Sequence, residues 1–90
     1  MVYTVVLVRE GDGGYSVSVP ALEGCHTQGD SLPEALDMAK EAILAYRDGE
    51  HELGKAMPPD VEQLTLDVAD TPEVLVFKVS VAVEEEAWVA

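Results

Sequence analysis

Cys25 and His26 are adjacent residues of the types that thiol enzymes use as nucleophile and base. On a β-strand, neighbouring side chains point to opposite faces, so these two groups could not readily react as a pair. The spacing of the other histidine, His51, does not relate it to Cys25. We therefore predict a packed Cys25, a polar or interface role for His26, and no catalytic residue.

Metal and phosphate sites are not indicated either. A structural zinc site needs several closely spaced Cys and His ligands, whereas this chain has one Cys and two distant His residues. Its 18 acidic residues offer many accidental carboxylate pairs, and none stands out. Gly11, Gly13 and Gly14 lie between two strand patterns and do not open a helix, which fits a hairpin better than a nucleotide-binding loop. We expect no metal and no cofactor.

The formal net charge of the 90-residue chain is −13, from 18 acidic and 5 basic residues. Such a surface repels nucleic acid, and it is either simply solvated or faces a basic protein partner. The single cysteine allows no intramolecular disulfide, and no apolar run approaches the roughly 18 residues of a membrane span. The N-terminus lacks the features of a secretory signal. We expect a cytoplasmic protein with no membrane contact and no direct nucleic acid contact.

Three strands are predicted in the first third of the chain. Residues 2–8 are apolar and rich in β-branched side chains, as in a central strand covered on both faces. Residues 15–19 alternate strictly between apolar and polar, and Pro20 should end this strand. After a turn at Gly24, residues 25–28 form a short third strand.

A helix follows, and its start is marked by a capping box of Ser31 and Glu34, with Pro33 in the first turn. Gly49 is the predicted stop, and residues 50–60 are predicted to form a loop. Apolar residues at helical spacing form the buried stripe: Leu32, Ala35, Leu36, Ala39, Ile43 and Tyr46.

Residues 74–83 give the longest strand pattern, whereas residues 61–68 are either a short strand or irregular. The order β-β-β-α-β predicts an α+β domain over residues 1–83 and an acidic tail over residues 84–90. Trp88 in that tail either packs on the sheet or contacts another chain. A right-handed crossover would place the last strand beside strand 1 and parallel to it, giving sheet order 3-2-1-4. One helix covers only one sheet face, so we also expect a homo-oligomer, a dimer or larger.

The first half of the chain resembles the HicB family of toxin–antitoxin proteins, and residues 74–83 fit the last strand of that family. The resemblance is specific because several glycines, a proline and a helix cap coincide in order. The matching residues are Tyr3, Gly13, Gly14, Tyr15, residues 17–20, Leu22, Gly24, Cys25, Thr27, Gly29, Asp30, Ser31, Glu34, Ala35, Glu41 and Ala42.

The resemblance implies a degraded RNase H-like fold of β-β-β-α-β type. Members of the family bind HicA, a small basic RNase that cleaves mRNA, and block it. The acidic charge of this chain fits such a partner. RNase H catalysis needs carboxylates that hold two metals, and the family generally lacks them, so we expect no enzyme activity. Many members continue into a C-terminal DNA-binding module, which we expect to be missing because the chain ends seven residues after the last predicted strand.

The first hypothesis is therefore an antitoxin-like protein that neutralises a basic HicA-like toxin by protein-protein binding. The predicted contact residues are Glu10, Asp12, Tyr15, Glu23 and His26. Two alternatives remain open. One is a solitary oligomeric adaptor of the same fold, and the other is a residual metal-dependent nuclease of RNase H type.

Overall fold

One helix packs on a sheet of four strands in the computed structural model, which describes residues 1–66 and 73–82. The order of the strands in the sheet is β3-β2-β1-β4. The predicted α+β class and strand order are both confirmed. The elements are β1 (Val2–Arg9), β2 (Tyr15–Ser18), β3 (His26–Gly29), α1 (Leu32–Glu52) and β4 (Val74–Ser80).

The direction of β4 corrects the prediction, because β4 runs antiparallel to β1 and not parallel to it. The connection after α1 is long enough to return along the sheet. Asp60 contacts Thr4 near the start of β1, whereas the Glu73 carbonyl accepts the Arg9 amide at the end of β1, with an N–O distance of 2.9 Å. The thirteen residues from Asp60 to Glu73, at about 3.3 Å each, are enough to span the length of β1. The chain therefore reaches the far end of β1 before β4 begins.

The hydrophobic core lies between α1 and one face of the sheet. Alternation along β1 turns every second side chain toward the helix, and the helix meets them with small residues and one isoleucine. The helical stripe packs on the core as predicted from the sequence, and Cys25 is buried as expected. The buried members are Tyr3, Val5, Leu7, Val17, Val19, Leu22, Cys25, Ala35, Ala39, Ile43, Val79 and Val81.

The start of α1 is as predicted and its end is not. The Ser31 hydroxyl accepts a hydrogen bond from the Glu34 amide at 3.2 Å. The helix runs to Glu52, past the predicted stop at Gly49, so residues 50–52 are helical and not part of a loop. Gly54, with φ +71°, supplies the left-handed residue that commonly follows a helix end. The capping glycine is thus Gly54, five residues after the predicted stop.

Other boundaries differ from the predictions by a few residues. The third strand begins at His26 and ends at Gly29, and β4 ends at Ser80. Residues 61–66 are irregular. Residues 67 and 68, Val83, and the predicted tail with Trp88 lie outside the described residues. Within residues 1–66 and 73–82, no helix has both the length and the apolar character to cross a membrane.

Candidate partner-binding surface

The turn between β1 and β2 presents two carboxylates. The Glu10 amide donates to the Gly14 carbonyl at 2.8 Å, and the Gly13 amide donates to the Glu10 carbonyl at 3.0 Å. Gly13 has φ +100°, which favours glycine. The Asp12 carboxylate accepts the Gly14 amide at 3.2 Å. These bonds fix the turn and leave the side chains of Glu10 and Asp12 exposed.

The end of β3 lies beside this turn because Tyr15 pairs with Gly29. A shallow cavity of about 110 Å³ forms between the two segments. Its charged and polar lining consists of three carboxylates, a phenol and an amide, and we call this surface the acidic notch: Glu10, Asp12, Tyr15, Gln28 and Asp30. With no basic side chain in its lining, the notch suits a cationic ligand group.

The close approach of β3 to α1 holds the notch in place. A Cβ on Gly29 would lie 2.5 Å from the backbone nitrogen of Ala35 and 2.6 Å from its Cα. Only glycine allows this contact, and Ala35 is itself fully buried. Asp30 follows Gly29 directly. The close packing of the Gly29 backbone on the Ala35 backbone therefore also sets the position of Asp30 relative to Tyr15.

The structure brings together three of the five predicted contact residues, Glu10, Asp12 and Tyr15. Glu23 lies in the connection between β2 and β3, and His26 lies at the end of β3 away from the notch. These two are exposed at the opposite end of the meander. The predicted set is therefore two separate groups and not one patch.

Sequence reasoning missed two members of the notch, Gln28 and Asp30. Their place depends on the register that pairs Tyr15 with Gly29 and on the position of the helix cap at Ser31. The alternation of β2 and the capping box were both readable from the sequence. Neither pattern sets the pairing of β2 with β3, so the sequence alone did not place Asp30 beside Tyr15.

An acidic stripe extends along the exposed side of α1 from the notch. Its members follow one another at intervals of three, four and seven residues, which places them on one face of a helix. Lys40 and Arg47 lie near this face, and Arg47 approaches Asp48 at 3.5 Å. The stripe consists of the exposed residues Glu34, Asp37, Glu41 and Asp48.

Asp60 is an acidic residue with a structural role. Its carboxylate accepts hydrogen bonds from the Thr4 amide at 2.9 Å, the Thr4 hydroxyl at 2.8 Å and the Lys78 ammonium at 2.8 Å. Burial alone would raise the pKa of Asp60, but these bonds and one from the Val61 amide lower it to about 2. The group therefore holds the connection after α1 against the sheet and is not free to bind a partner.

Cys25 and His26 do not form a reactive pair in the structure. Cys25 is buried in the core and His26 is exposed. Burial raises the pKa of the Cys25 thiol, which is the opposite of what a nucleophilic thiolate requires. Among the residues that the structure describes, no group of three or more His, Cys, Asp or Glu side chains is placed to hold a metal ion.

Comparison with known proteins gives a family match over most of the chain. The model of the family described as HicB_like antitoxin of bacterial toxin-antitoxin system matches residues 3–85. The UPF0150 protein Ta0767 of Thermoplasma acidophilum is 45% identical over 67 residues, which are 73% of this chain and 97% of that protein. Antitoxin HicB 1 of Photorhabdus laumondii is 46% identical over 44 residues, which are 49% of this chain and 28% of that protein.

Solved structures share the fold. The N-terminal domain of Burkholderia pseudomallei antitoxin HicB matches with a TM-score of 0.65 and 25% identity, covering 92% of this chain and 100% of that domain. A chain of the HicA3 and HicB3 toxin-antitoxin complex matches with a TM-score of 0.69 and 16% identity, covering 91% of this chain and 99% of that one. The four-stranded sheet with one helix is the fold of these domains, and the protein belongs to the HicB-like antitoxin family of bacterial toxin–antitoxin systems.

Proposed function

We propose that this protein is a non-enzymatic antitoxin that binds a small basic ribonuclease of HicA type and neutralises it by protein-protein contact. Membership of the antitoxin family carries this proposal. The acidic notch and the adjoining stripe on α1 add a surface of suitable charge. We expect the protein to act in the cytoplasm, without direct contact to nucleic acid or membrane.

The charge of the chain favours a basic partner on physical grounds. At a net charge of −13, long-range attraction speeds the encounter with a cationic protein and disfavours acidic competitors. Exposed carboxylates separated by more than about 8–10 Å from their partners are screened at physiological salt. Affinity should therefore depend on the few acidic groups that make close contact.

The acidic notch is the best candidate for that close contact. Its carboxylates are exposed, its turn is fixed by backbone hydrogen bonds, and Tyr15 offers a half-buried ring of the type enriched in interface hot spots. A lysine or arginine side chain of the toxin could enter the cavity between Asp12 and Asp30. Glu23 and His26, at the other end of the meander, remain candidates for a second contact.

Neutralising two carboxylates of the notch, Asp12→Asn with Asp30→Asn, should weaken toxin binding about tenfold, which corresponds to about 1.4 kcal/mol. Asparagine keeps the side-chain oxygen that accepts the Gly14 amide, so the turn should persist. Toxin binding is measured by calorimetry at two salt concentrations. The dependence of the dissociation constant on salt should also be weaker for this variant.

The matched control is Glu52→Gln with Glu62→Gln, which changes the net charge equally at two exposed positions outside the notch. This variant should bind within about twofold of the original protein. Equal losses in the two double variants would mean that only the total charge matters, and would remove the notch from the proposal.

A further inference from the structure

A cavity of about 310 Å³ lies between α1 and β4. Its apolar wall consists of Leu36, Phe77 and Val79. Val79 is buried, whereas Leu36 and Phe77 are only half-buried although both pack against the core. Pockets for small ligands begin at roughly 300 Å³, so this cavity has room for one large aromatic side chain. No side chain of the described residues fills it.

The margin of the cavity is positively charged. It is lined by Lys40, Lys78 and Ser80, and by no acidic residue among those described. Two of the five basic residues of a strongly acidic chain are thus at one place. The Lys78 ammonium is held by the Asp60 carboxylate at 2.8 Å, whereas Lys40 forms no ion pair with the described carboxylates. The cavity therefore suits an occupant that carries both an aromatic ring and carboxylates.

The chain leaves the sheet beside this cavity. Ser80 is the last residue of β4 and also lines the cavity. The Val81 amide donates to the Met1 carbonyl at 2.8 Å, and the Val81 carbonyl accepts the Met1 amino group at 3.1 Å. The acidic tail, residues 84–90, follows shortly afterwards and lies outside the described residues. Its sequence EEEAWVA combines three glutamates with the single tryptophan of the chain.

We propose that the acidic tail folds back along β4 of its own chain and places the Trp88 indole in this cavity. If the chain reverses direction at residues 83 and 84, Trp88 comes level with Val79, because residues equally far from the turn lie opposite each other in an antiparallel arrangement. Side chains that lie opposite each other share one face of a sheet, so Trp88 is then on the same side as Val79, facing α1.

The same register brings the glutamates of the tail toward Lys40. Glu86 comes level with Val81, one residue beyond Ser80, and Ser80 lines the cavity together with Lys40. An exposed ion pair contributes little to stability, so burial of the indole supplies most of the attraction and Lys40 mainly orients the tail. The docked tail offsets the positive charge at this margin and leaves a more uniformly acidic surface.

The fluorescence of Trp88 tests the proposal directly, because the chain has no other tryptophan. Quenching by acrylamide, a neutral molecule, measures the exposure of the indole in the full chain without toxin. The quenching constant should be at least about threefold lower in the folded protein than in urea, with emission at shorter wavelength, because the ring is covered on both faces. Equal quenching in the folded and unfolded protein would overturn the proposal.

Leu36→Gln tests whether Trp88 lies in this cavity. It makes the apolar wall polar, so the quenching constant should rise at least about twofold toward its value in urea while the circular dichroism spectrum stays unchanged. Lys40→Glu should raise it less, through repulsion of the tail. The matched controls are Leu44→Gln, a half-buried leucine of α1, and Lys55→Glu, an exposed lysine, since neither residue lines the cavity. Unchanged protection in Leu36→Gln would place Trp88 elsewhere and contradict the proposal.

Disulfide trapping distinguishes the tail of the same chain from that of a second copy. Oxidation of the double variant Lys40→Cys with Glu86→Cys should give a cross-linked product with the mass of one chain, since Cα atoms within about 7 Å can be bridged. The native Cys25 is buried and does not compete. A product of twice that mass would mean that a second copy fills the cavity, and would overturn the proposal. These measurements contain no toxin, so their failure would leave the antitoxin proposal standing.

Discussion

Replacing Gly29 by alanine should lower the free energy of unfolding by about 2–3 kcal/mol, because the added methyl group overlaps backbone atoms of α1. The new Cβ would lie 2.5 Å from the Ala35 nitrogen and 2.6 Å from the Ala35 Cα. A flexible side chain could move aside at little cost, whereas here β3 or the first turn of α1 must shift. Urea denaturation followed by circular dichroism measures the loss.

Gly49→Ala is the matched control for this substitution. Gly49 lies inside α1, and a Cβ there would meet nothing within 4 Å. Alanine should raise the stability by about 0.5–1 kcal/mol because it restricts the unfolded chain and suits a helix. Each of the two variants adds one methyl group to the original protein, at a different site, and the two should shift the free energy of unfolding in opposite directions. A Gly29→Ala variant as stable as the original protein would contradict the close contact of β3 with α1.

Removing the Asp60 side chain, as in Asp60→Ala, should cost about 2–4 kcal/mol. The Thr4 amide and hydroxyl and the Lys78 ammonium would each lose a hydrogen bond to the carboxylate. Thr4 is only 4% exposed, so water cannot easily replace the lost acceptor. Glu62→Ala removes an exposed carboxylate two residues later and should change stability by less than about 0.5 kcal/mol. Equal losses of stability in Asp60→Ala and Glu62→Ala would show that Asp60 does not hold the connection after α1 against the sheet.

The contribution of Asp60 should also depend on pH. Its pKa is about 2 in the folded protein against an ordinary value of 3.8, so folding favours the charged form. The stabilisation is then complete above pH 4–5 and is lost as the pH falls through 3.8 toward 2. The stability difference between the original protein and Asp60→Ala should shrink by about 1–2 kcal/mol between pH 5 and pH 2. A constant difference over that range would contradict the assigned hydrogen bonds.

The local features of the fold were predictable because they depend on neighbouring residues. Strict alternation identified β2, the Ser31 cap fixed the start of α1, and the apolar stripe gave its buried face. The end of α1 was harder to predict because two glycines stand five residues apart. A helix tolerates one interior glycine at a cost of about 1 kcal/mol, and Glu50, His51 and Glu52 continue the helix past Gly49.

The direction of β4 and the composition of the notch depend on contacts between distant residues. The connection after α1 has only a weak sequence pattern. Hydrogen bonds from Thr4 and Lys78 hold Asp60 of this connection against the sheet, and no local sequence rule predicts those bonds. The predicted contact residues were chosen for type and turn position. Glu23 was chosen for its charge and loop location, and only the sheet register shows that it lies far from Asp12.

Neutralisation of a HicA-type ribonuclease can be measured in a purified system. The reaction contains the HicA-type protein encoded nearest to this chain in its genome, a labelled mRNA substrate, and increasing amounts of this protein. RNA cleavage should fall to background near an equimolar ratio, and the Asp12→Asn and Asp30→Asn double variant should require a larger excess. Undiminished cleavage at a tenfold excess of folded protein, with no complex detected by size-exclusion chromatography, would contradict the antitoxin function.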